Sequence, residues 1–345
     1  DFDLLRAPER FDAEFDLLEG MAHTAQRPLS MTWLQREPGA EQWKQIRARA
    51  EQANVQCVMM RLQTAVRGIG VINGLDASFH PFMGFPTYKS LAHLPLAERA
   101  AQLRQPEIKA RILAEKSERL AGDGTAIPPL VDILLAQIDL LAARMFPLTA
   151  EMNYEPKLAQ SFLAQARARG LRPLEALYDY LAEGEGGNLL YFPIFNYGPG
   201  SLDVVEQMLH HPLALAGLSD AGAHVGTVCD ASFPTTLLSY WTRDRQRGER
   251  LALPQAVEML TARNANYLGL QDRGRLQVGM KGDINVINYE QLRPTMPGLK
   301  RDLPAGGKRF VQQARGFVAT VVSGTIVAQE GNITDARPGK LVRAR

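Results

Sequence analysis

The order of apolar and polar residues predicts strands and helices that alternate near the start of the chain. Apolar residues recur at helical spacing over residues 11–25 and predict a first helix. A strand-like run follows at 28–33, a second helix at 41–53 and a second apolar strand at 55–62. Strands that alternate with helices of about 12 residues are typical of βα units around a parallel sheet.

The pattern changes after a glycine-rich stretch at residues 68–74. Helix-period apolar residues then continue, and the pattern contains no strand for roughly a hundred residues. In parallel barrels a helical insertion between two strands commonly forms a lid over the active-site mouth. The sequence therefore predicts a helical insertion over about residues 75–187; a separate helical domain is the alternative.

Beyond the insertion the strand-like pattern resumes at 189–195, and a helix is predicted over 202–210. From Gly274 onward, short β-branched runs separated by glycines predict a small antiparallel β unit. We therefore expect two parts, one over residues 1–270 and one over residues 271–345.

Composition narrows the class of protein. The 345 residues are 46% hydrophobic and 22% charged with a net charge of +2, which favours a globular chain over a disordered or nucleic-acid-binding one. No apolar run reaches the roughly 18 residues of a membrane span. Cys57 and Cys229 are too few for a disulfide scaffold or a cysteine-based zinc site. We expect a cytoplasmic enzyme with a small-molecule substrate and no nucleic-acid or membrane partner.

The sharpest candidate for chemistry is the run Gly-Leu-Ser-Asp-Ala-Gly-Ala-His-Val-Gly at residues 217–226. Asp220 follows an apolar strand and stands beside small residues, and in a parallel barrel such a strand end points into the mouth where catalysis takes place. A carboxylate there suits general-base work or metal ligation. The alternative is that Ser219 or Asp220 caps the next helix.

Two further side chains are candidates for substrate contact. His224 comes four residues after Asp220, and we expect it to contact substrate or water. Arg67 follows the second predicted strand, where a guanidinium could hold a substrate carboxylate in a bidentate pair. A surface ion pair is the alternative for Arg67. The other histidines, His80 among them, are better explained as packing or helix-end residues.

The motifs beyond Asp220 come in a recognisable order. After a helix follow the turn Gly-x-Leu-x-x-Gly-x-x-x-Asp at residues 274–283 and the strand pair Val-x-x-Gly-x-x-Val at 321–327. This order resembles the amidohydrolase superfamily, and more narrowly its D-aminoacylase (N-acyl-D-amino-acid deacylase) branch. The resemblance spans residues from about 187 to the C-terminus, and extends to 11–74 by the order of elements.

The resemblance implies a fold and a chemistry. The fold is α/β, a (β/α)8 TIM-barrel-type amidohydrolase with a small β-sandwich, of which this chain would form the C-terminal part. The activity is hydrolysis of amide bonds with one or two divalent metals, usually zinc. Asp220 matches the last-strand Asp, which takes a proton from metal-bound water, passes it to the leaving nitrogen and is also a candidate metal ligand. A metal lowers the pKa of bound water toward about 7, which makes this chemistry accessible.

The chain departs from the family pattern in its number of strands. A barrel of eight strands needs about 250 residues, yet only three or four candidate barrel strands precede or include Asp220. The chain also begins at Asp1 without an initiator Met. We therefore expect it to be the C-terminal part of a longer polypeptide.

A second departure concerns the metal ligands. The strand at 28–33 matches a position that carries His in the family, but here it offers Thr32, Trp33 and Gln35. Two alternatives to the deacylase consequently stay open. One is a catalytically silent amidohydrolase-like scaffold that binds a ligand, and the other is a ring-opening hydrolase of the dihydropyrimidinase kind.

Overall fold

The computed structural model describes residues 8–36, 39–122, 127, 129–219, 222 and 224–342, which form a mixed α/β fold. The helices are α1 Phe11–Ala25, α2 Gln42–Val55, α3 Pro86–Leu91, α4 Leu96–Leu103, α5 Pro106–Ala114, α6 Pro129–Ala136, α7 Ile138–Leu141, α8 Phe162–Arg169, α9 Pro173–Ala182, α10 Asp203–His210, α11 Phe233–Ser239, α12 Leu253–Leu260 and α13 Ala262–Tyr267. The strands are β1 Leu29–Thr32, β2 Met60–Thr64, β3 Ile69–Asn73, β4 Phe146–Leu148, β5 Leu189–Phe195, β6 Ala214–Ala216, β7 Ile284–Ile287, β8 Arg293–Pro294, β9 Gly298–Lys300, β10 Arg309–Val311, β11 Ala314–Arg315, β12 Phe317–Val322, β13 Thr325–Gln329 and β14 Asn332–Ile333.

A parallel sheet in the order β1-β2-β6 confirms the βα pattern of the first sixty residues. Met31 lies opposite Leu62, and Leu62 lies opposite Ala214, so three buried side chains cross the sheet in one row. Helices α1 and α2 cover it with Phe15 and Ile46, which belong to the same core. Strand β2 begins later than predicted because α2 continues to Val55 and a turn precedes the strand.

A second sheet is antiparallel, in the order β3-β5-β4, and corrects two predictions. Strand β4 interrupts the region in which the pattern contained no strand, and it pairs Phe146 with Tyr191 of β5. Strand β5 was expected to resume the first sheet, but it pairs with β3 and β4 instead. Helices α3 to α9 lie between β3 and β5 in the sequence and bury a core of their own, which includes Leu103, Phe162 and Leu177.

The C-terminal region confirms the predicted antiparallel β unit, with a sheet in the order β14-β13-β12-β7. No residue of these four strands is buried, and Ile284, Val286 and Ile326 remain more than a third exposed. Within the described ranges, therefore, no second sheet covers this one as a β-sandwich would. In the same ranges, no helix is long and apolar enough to cross a bilayer.

Candidate active site

The parallel strands β1, β2 and β6 bring their carboxyl ends to one edge of the sheet, where an α/β protein places its chemistry. Asp220, with Ala221 and Ala223, lies outside the residues that the structure describes. In the sequence it comes four residues after β6 ends at Ala216. The nearest described residues in the sequence are Ser219 before it and Gly222 after it.

His224 is exposed, and its backbone has a φ of 48° in the left-handed region. Its carbonyl oxygen accepts hydrogen bonds from the N–H groups of Thr227 at 2.8 Å and Val228 at 2.9 Å. These bonds close a tight turn that fixes the backbone while the imidazole faces solvent. The predicted contact of this side chain with substrate or water remains a prediction.

Residues 224–230, which we call the 224–230 segment, are held by neighbours from distant parts of the chain. Ile72 of β3 donates its N–H to the Thr227 carbonyl at 2.7 Å, and the Thr227 hydroxyl donates to the Ile72 carbonyl at 3.0 Å. On another side, the Phe310 N–H of β10 donates to the Val225 carbonyl at 2.7 Å. The segment thus joins the antiparallel sheet to the C-terminal β region.

Arg67 binds the C-terminal end of this segment, at Cys229 and Asp230. The residue is 1% exposed, and its Nη2 donates to Asp230 Oδ1 at 2.7 Å and to the Cys229 carbonyl at 3.2 Å. Its guanidinium lies 3.7 Å from the ring centre of Tyr154 and 4.7 Å from that of Phe233. Arg67 therefore forms a buried ion pair between two aromatic faces rather than a surface pair.

The electrostatics of this cluster keep each group in one protonation state. Burial is the largest single influence on the Arg67 guanidinium and lowers its pKa, but Asp230 together with Tyr154 and Tyr191 outweighs burial, and the pKa is raised. Burial raises the pKa of the Tyr154 phenol, and burial together with Asp230 raises the pKa of the Cys229 thiol to about 11. Arg67 is therefore cationic at neutral pH, whereas Tyr154 and Cys229 carry no charge.

Sequence reasoning singled out Arg67 but missed its partners. The Arg67 Nη1 donates to the Gly68 carbonyl, and Nε has no partner among the described residues. A bidentate contact with a substrate carboxylate needs two N–H donors, and Nε supplies one of them. The predicted contact stays a prediction. A signal for the ion pair existed, because Asp230 stands between apolar neighbours where a lone carboxylate would be costly.

The described residues at this sheet edge do not fit a metal centre. The first three positions after each parallel strand carry no His, Cys, Asp or Glu; they are residues 33–35, 65–67 and 217–219. Trp33 donates its Nε1 to the Trp43 carbonyl at 2.8 Å, and Gln35 accepts from the Gly198 N–H at 3.1 Å. These polar groups are occupied in structural hydrogen bonds, so we derive no step through a metal.

One group of metal-ligand side chains does come together elsewhere. Glu206, His210 and Glu249 bring one ligand atom each within 4.8 Å of one another. His210 ends α10, which precedes the amino end of β6, whereas Asp220 follows the other end of that strand. Glu206 also accepts a hydrogen bond from the guanidinium of Arg245. This cluster is therefore separate from the predicted catalytic edge.

A cavity of about 670 Å³ opens beside Arg67. Its walls come from the stretch 150–160, from the region of α11 and the following π-helical turn, and from residues 290–294. None of the described residues between 217 and 230 lines it. The Arg67 side chain thus lies between this cavity and the 224–230 segment.

Comparison with protein-family models decides the family. A model described as the amidohydrolase family matches residues 4–328, which is nearly the whole chain. The chain belongs to the amidohydrolase family. The resemblance inferred from the C-terminal motifs is therefore confirmed at the level of the family, and it extends over the N-terminal helices and strands as well.

Relatives in the curated proteins carry no assigned activity. The uncharacterized proteins Rv2913c of Mycobacterium tuberculosis and Mb2937c of Mycobacterium bovis are each 32% identical to this amidohydrolase over 181 residues. The match covers 50% of this chain and 29% of each relative. The chain thus matches less than a third of the length of these relatives.

Solved structures include two deacylases. A D-aminoacylase with a binuclear metal centre matches 95% of this chain at 15% identity, with a TM-score of 0.46. An N-acyl-D-glutamate deacylase from Bordetella bronchiseptica, complexed with zinc and a phosphonate inhibitor, matches 94% at 16% identity, with a TM-score of 0.43. This chain covers 52% of either structure.

Proposed function

We propose that this amidohydrolase cleaves carbon–nitrogen bonds of amides other than peptide bonds, with Asp220 as general base and acid. The observation that carries the proposal is the position of Asp220 in the sequence, four residues after the third parallel strand of an amidohydrolase-family chain. Support also comes from its neighbours Gly217 and Gly222, which leave room for a substrate close to the backbone.

The proposed chemistry of Asp220 follows from the poor leaving group. An amine leaves an amide only when its nitrogen is protonated, so one carboxylate must accept a proton from the attacking water and deliver it to the nitrogen. His224 is exposed two positions after Gly222, where we propose that it contacts substrate or water. Binding of a substrate carboxylate is one of two alternative roles for Arg67, and it would use the remaining donor Nε.

The substrate class, metal and surrounding fold are finer parts of the proposal. The resemblance of the motifs from residue 187 onward to the D-aminoacylase branch supports N-acyl-amino acids or related amides as substrates, with the D series tested first. We propose that the parallel strands belong to a (β/α)8 barrel, that the C-terminal sheet belongs to a β-sandwich, and that a divalent metal such as zinc supports activity. A cytoplasmic location is proposed on composition alone. The described strand ends do not build the ligand set, so zinc content has to be measured directly.

A silent scaffold is the second candidate function, favoured by the absence of ligand side chains in the first three positions after β1, β2 and β6. A panel of substrates distinguishes the deacylase, the ring-opening hydrolase and the silent scaffold. It contains N-acetyl-D-amino acids, their L enantiomers and dihydrouracil, with released amine, ring opening and bound zinc measured on the same sample. We expect hydrolysis of the D series. Ring opening alone would favour the dihydropyrimidinase-like alternative, and no turnover with zinc supplied would favour the scaffold.

A further inference from the structure

The Arg67–Asp230 ion pair connects the end of β2 to the 224–230 segment, and the proposed reaction needs these two parts to keep a fixed relative position. Arg67 comes three residues after β2 ends at Thr64, at the carboxyl edge of the parallel sheet. Asp230 ends the 224–230 segment, which follows Asp220 in the sequence. The 2.7 Å bond between Nη2 and Oδ1 therefore connects the sheet edge to the segment that begins just after the proposed catalytic residue.

The pair is built as a rigid joint. Its two side chains are 1% and 3% exposed, so neither exchanges its partner for water. The guanidinium lies over the rings of Tyr154 and Phe233, and Tyr154 in turn packs edge-on against Tyr191 at 5.1 Å. The Tyr191 hydroxyl donates to the Gly68 carbonyl at 2.8 Å, which is also the acceptor of Arg67 Nη1. Each contact of Arg67 thus restricts the loop after β2.

The other described hydrogen bonds of the segment attach it to different parts of the fold. The hydrogen bonds to Ile72 and Phe310 hold Val225 and Thr227, in the middle of the segment. They connect the segment to the antiparallel sheet and to the C-terminal β region, not to the parallel sheet. Arg67 supplies the tie to β2. A buried ion pair contributes little net stability compared with apolar packing, and its best-attested use is to specify one arrangement.

We infer that Arg67 is a positioning residue, which acts through Asp230 to hold the segment after Asp220 in register with the end of β2. The inference rests on the proposed function, because the reaction at Asp220 is what the register serves. In this positioning role Arg67 acts on Asp230, whereas in a substrate-binding role it would act on the carboxylate of the substrate. A positioning residue affects the chemical step for every substrate, whereas a carboxylate clamp affects the binding of carboxylate-bearing substrates only.

The test compares Arg67→Lys and Asp230→Asn with Arg49→Lys as a matched control. Arg49 also pairs with carboxylates, Asp12 at 2.7 Å and Asp16 at 2.6 Å, but on the surface of α2. Steady-state kinetics are measured with an N-acyl-amino acid and with its amide, which lacks the free carboxylate. A misplacement of about 1 Å can cost about 10²-fold in rate, so positioning predicts a drop in kcat of that order for both substrates with KM nearly unchanged.

Hydrogen exchange gives a readout that is independent of activity. Arg67→Lys and Asp230→Asn are expected to speed exchange in peptides that cover residues 222–230, while peptides from α10 exchange as in the natural protein. If a single variant does not fold, the double variant Arg67→Met/Asp230→Leu removes both charges and leaves no unpaired ion. It is expected to show the same local change.

Two outcomes overturn the inference. Unchanged exchange over 222–230 in folded variants would show that the pair holds nothing in place. A rise in KM confined to the carboxylate-bearing substrate would instead assign Arg67 to substrate binding. Absence of amide hydrolysis in the natural protein contradicts the proposed function, and the exchange data still decide whether the pair fixes the segment.

Discussion

Two buried arginines show how this chain keeps charge away from water. Arg67 is paired with Asp230 between aromatic faces, and the buried Arg245 bonds Glu155 at 3.3 Å and Asp203 at 3.0 Å beneath the ring of Trp241. Arginine suits both places because its planar fork binds carboxylates while its face stacks on aromatic rings. At the scale of the residue, these ionic contacts determine which loops lie together.

His80 illustrates a buried titratable side chain with a consequence for stability. Its Nδ1 accepts the Phe82 N–H at 3.2 Å, and its ring packs against Tyr88. Burial, with the nearby cations Arg99 and Lys308, lowers the pKa of His80 to about 3. The packing role expected from the sequence is confirmed.

The pH dependence of stability follows from this lowered pKa. The unfolded state binds a proton near pH 6.5, but the folded state binds none until about pH 3, so stability falls as the pH drops below about 6.5. Between pH 7.5 and pH 5, His80 alone should cost about 2 kcal/mol. His80→Asn keeps an acceptor that does not titrate. Urea unfolding should therefore show that the variant loses about 2 kcal/mol less unfolding free energy between pH 7.5 and pH 5 than the natural protein does. Equal losses in both proteins would contradict this account.

The sequence can indicate that a charged residue needs a partner, but it does not identify the partner in an ionic contact of this kind. Arg67 and Asp230 are 163 positions apart, and nothing in the local pattern of either stretch names the other as partner. The residue types alone left Arg67 open between substrate binding and a surface pair. Only the fold brings the end of β2 against the 224–230 segment, and with it the two charges.

At the scale of the element, helices α1, α2 and α10 were predicted close to their observed bounds, whereas short strands were not. Helix α1 has the predicted bounds of 11–25, because its apolar period repeats over four turns. Strand β4 has three residues and contains a proline, so its pairing with β5 depends on tertiary contacts that no local pattern shows. Strand β3 contains Gly70, and the glycines around it indicate a break in the pattern rather than a strand.

Gly70 is a glycine because β3 and β5 come together closely there. A Cβ at this position would overlap the carbonyl oxygen of Phe192 and lie 2.7 Å from the Cα of Pro193. Gly70→Ala should therefore destabilise the protein by about 1–3 kcal/mol, the usual cost of overpacking. Gly20→Ala in α1 is the control, since nothing lies within 4 Å of its added methyl group and alanine favours a helix by about 0.5–1 kcal/mol. Thermal unfolding measures the stability of both variants. A loss of stability in both, or in neither, would contradict the close contact at Gly70.

Asp283 resembles a site residue but has a structural role in the C-terminal sheet. Its Oδ1 accepts the Ser323 N–H at 2.8 Å in the turn between β12 and β13. Asp283→Ala should cost about 1 kcal/mol, the usual net worth of one such bond, and should leave amide hydrolysis intact. The measurement is urea unfolding together with kcat on the same preparation. A well-folded variant without activity would instead place Asp283 in the reaction.

At the scale of the whole molecule, the family and its mixed α/β fold followed from the order of motifs. The antiparallel β unit near the C-terminus was predictable because β-branched runs alternate with glycines. The arrangement of the described strands in five separate sheets was not predictable. The 224–230 segment, for example, joins the antiparallel sheet to the C-terminal β region through two hydrogen bonds with Ile72 and one with Phe310. Long-range ties of that kind leave no periodic signal.

The most direct test of the account is the turnover of Asp220→Asn with bound metal measured on the same sample. Asparagine keeps the shape of aspartate but cannot shuttle a proton, and loss of general acid–base catalysis typically costs about 10²–10⁴ in rate. If Asp220 is the general base and acid, kcat for amide hydrolysis drops by that factor, while unfolding and metal content stay unchanged. Near-normal turnover in a folded, metal-replete Asp220→Asn variant would contradict it.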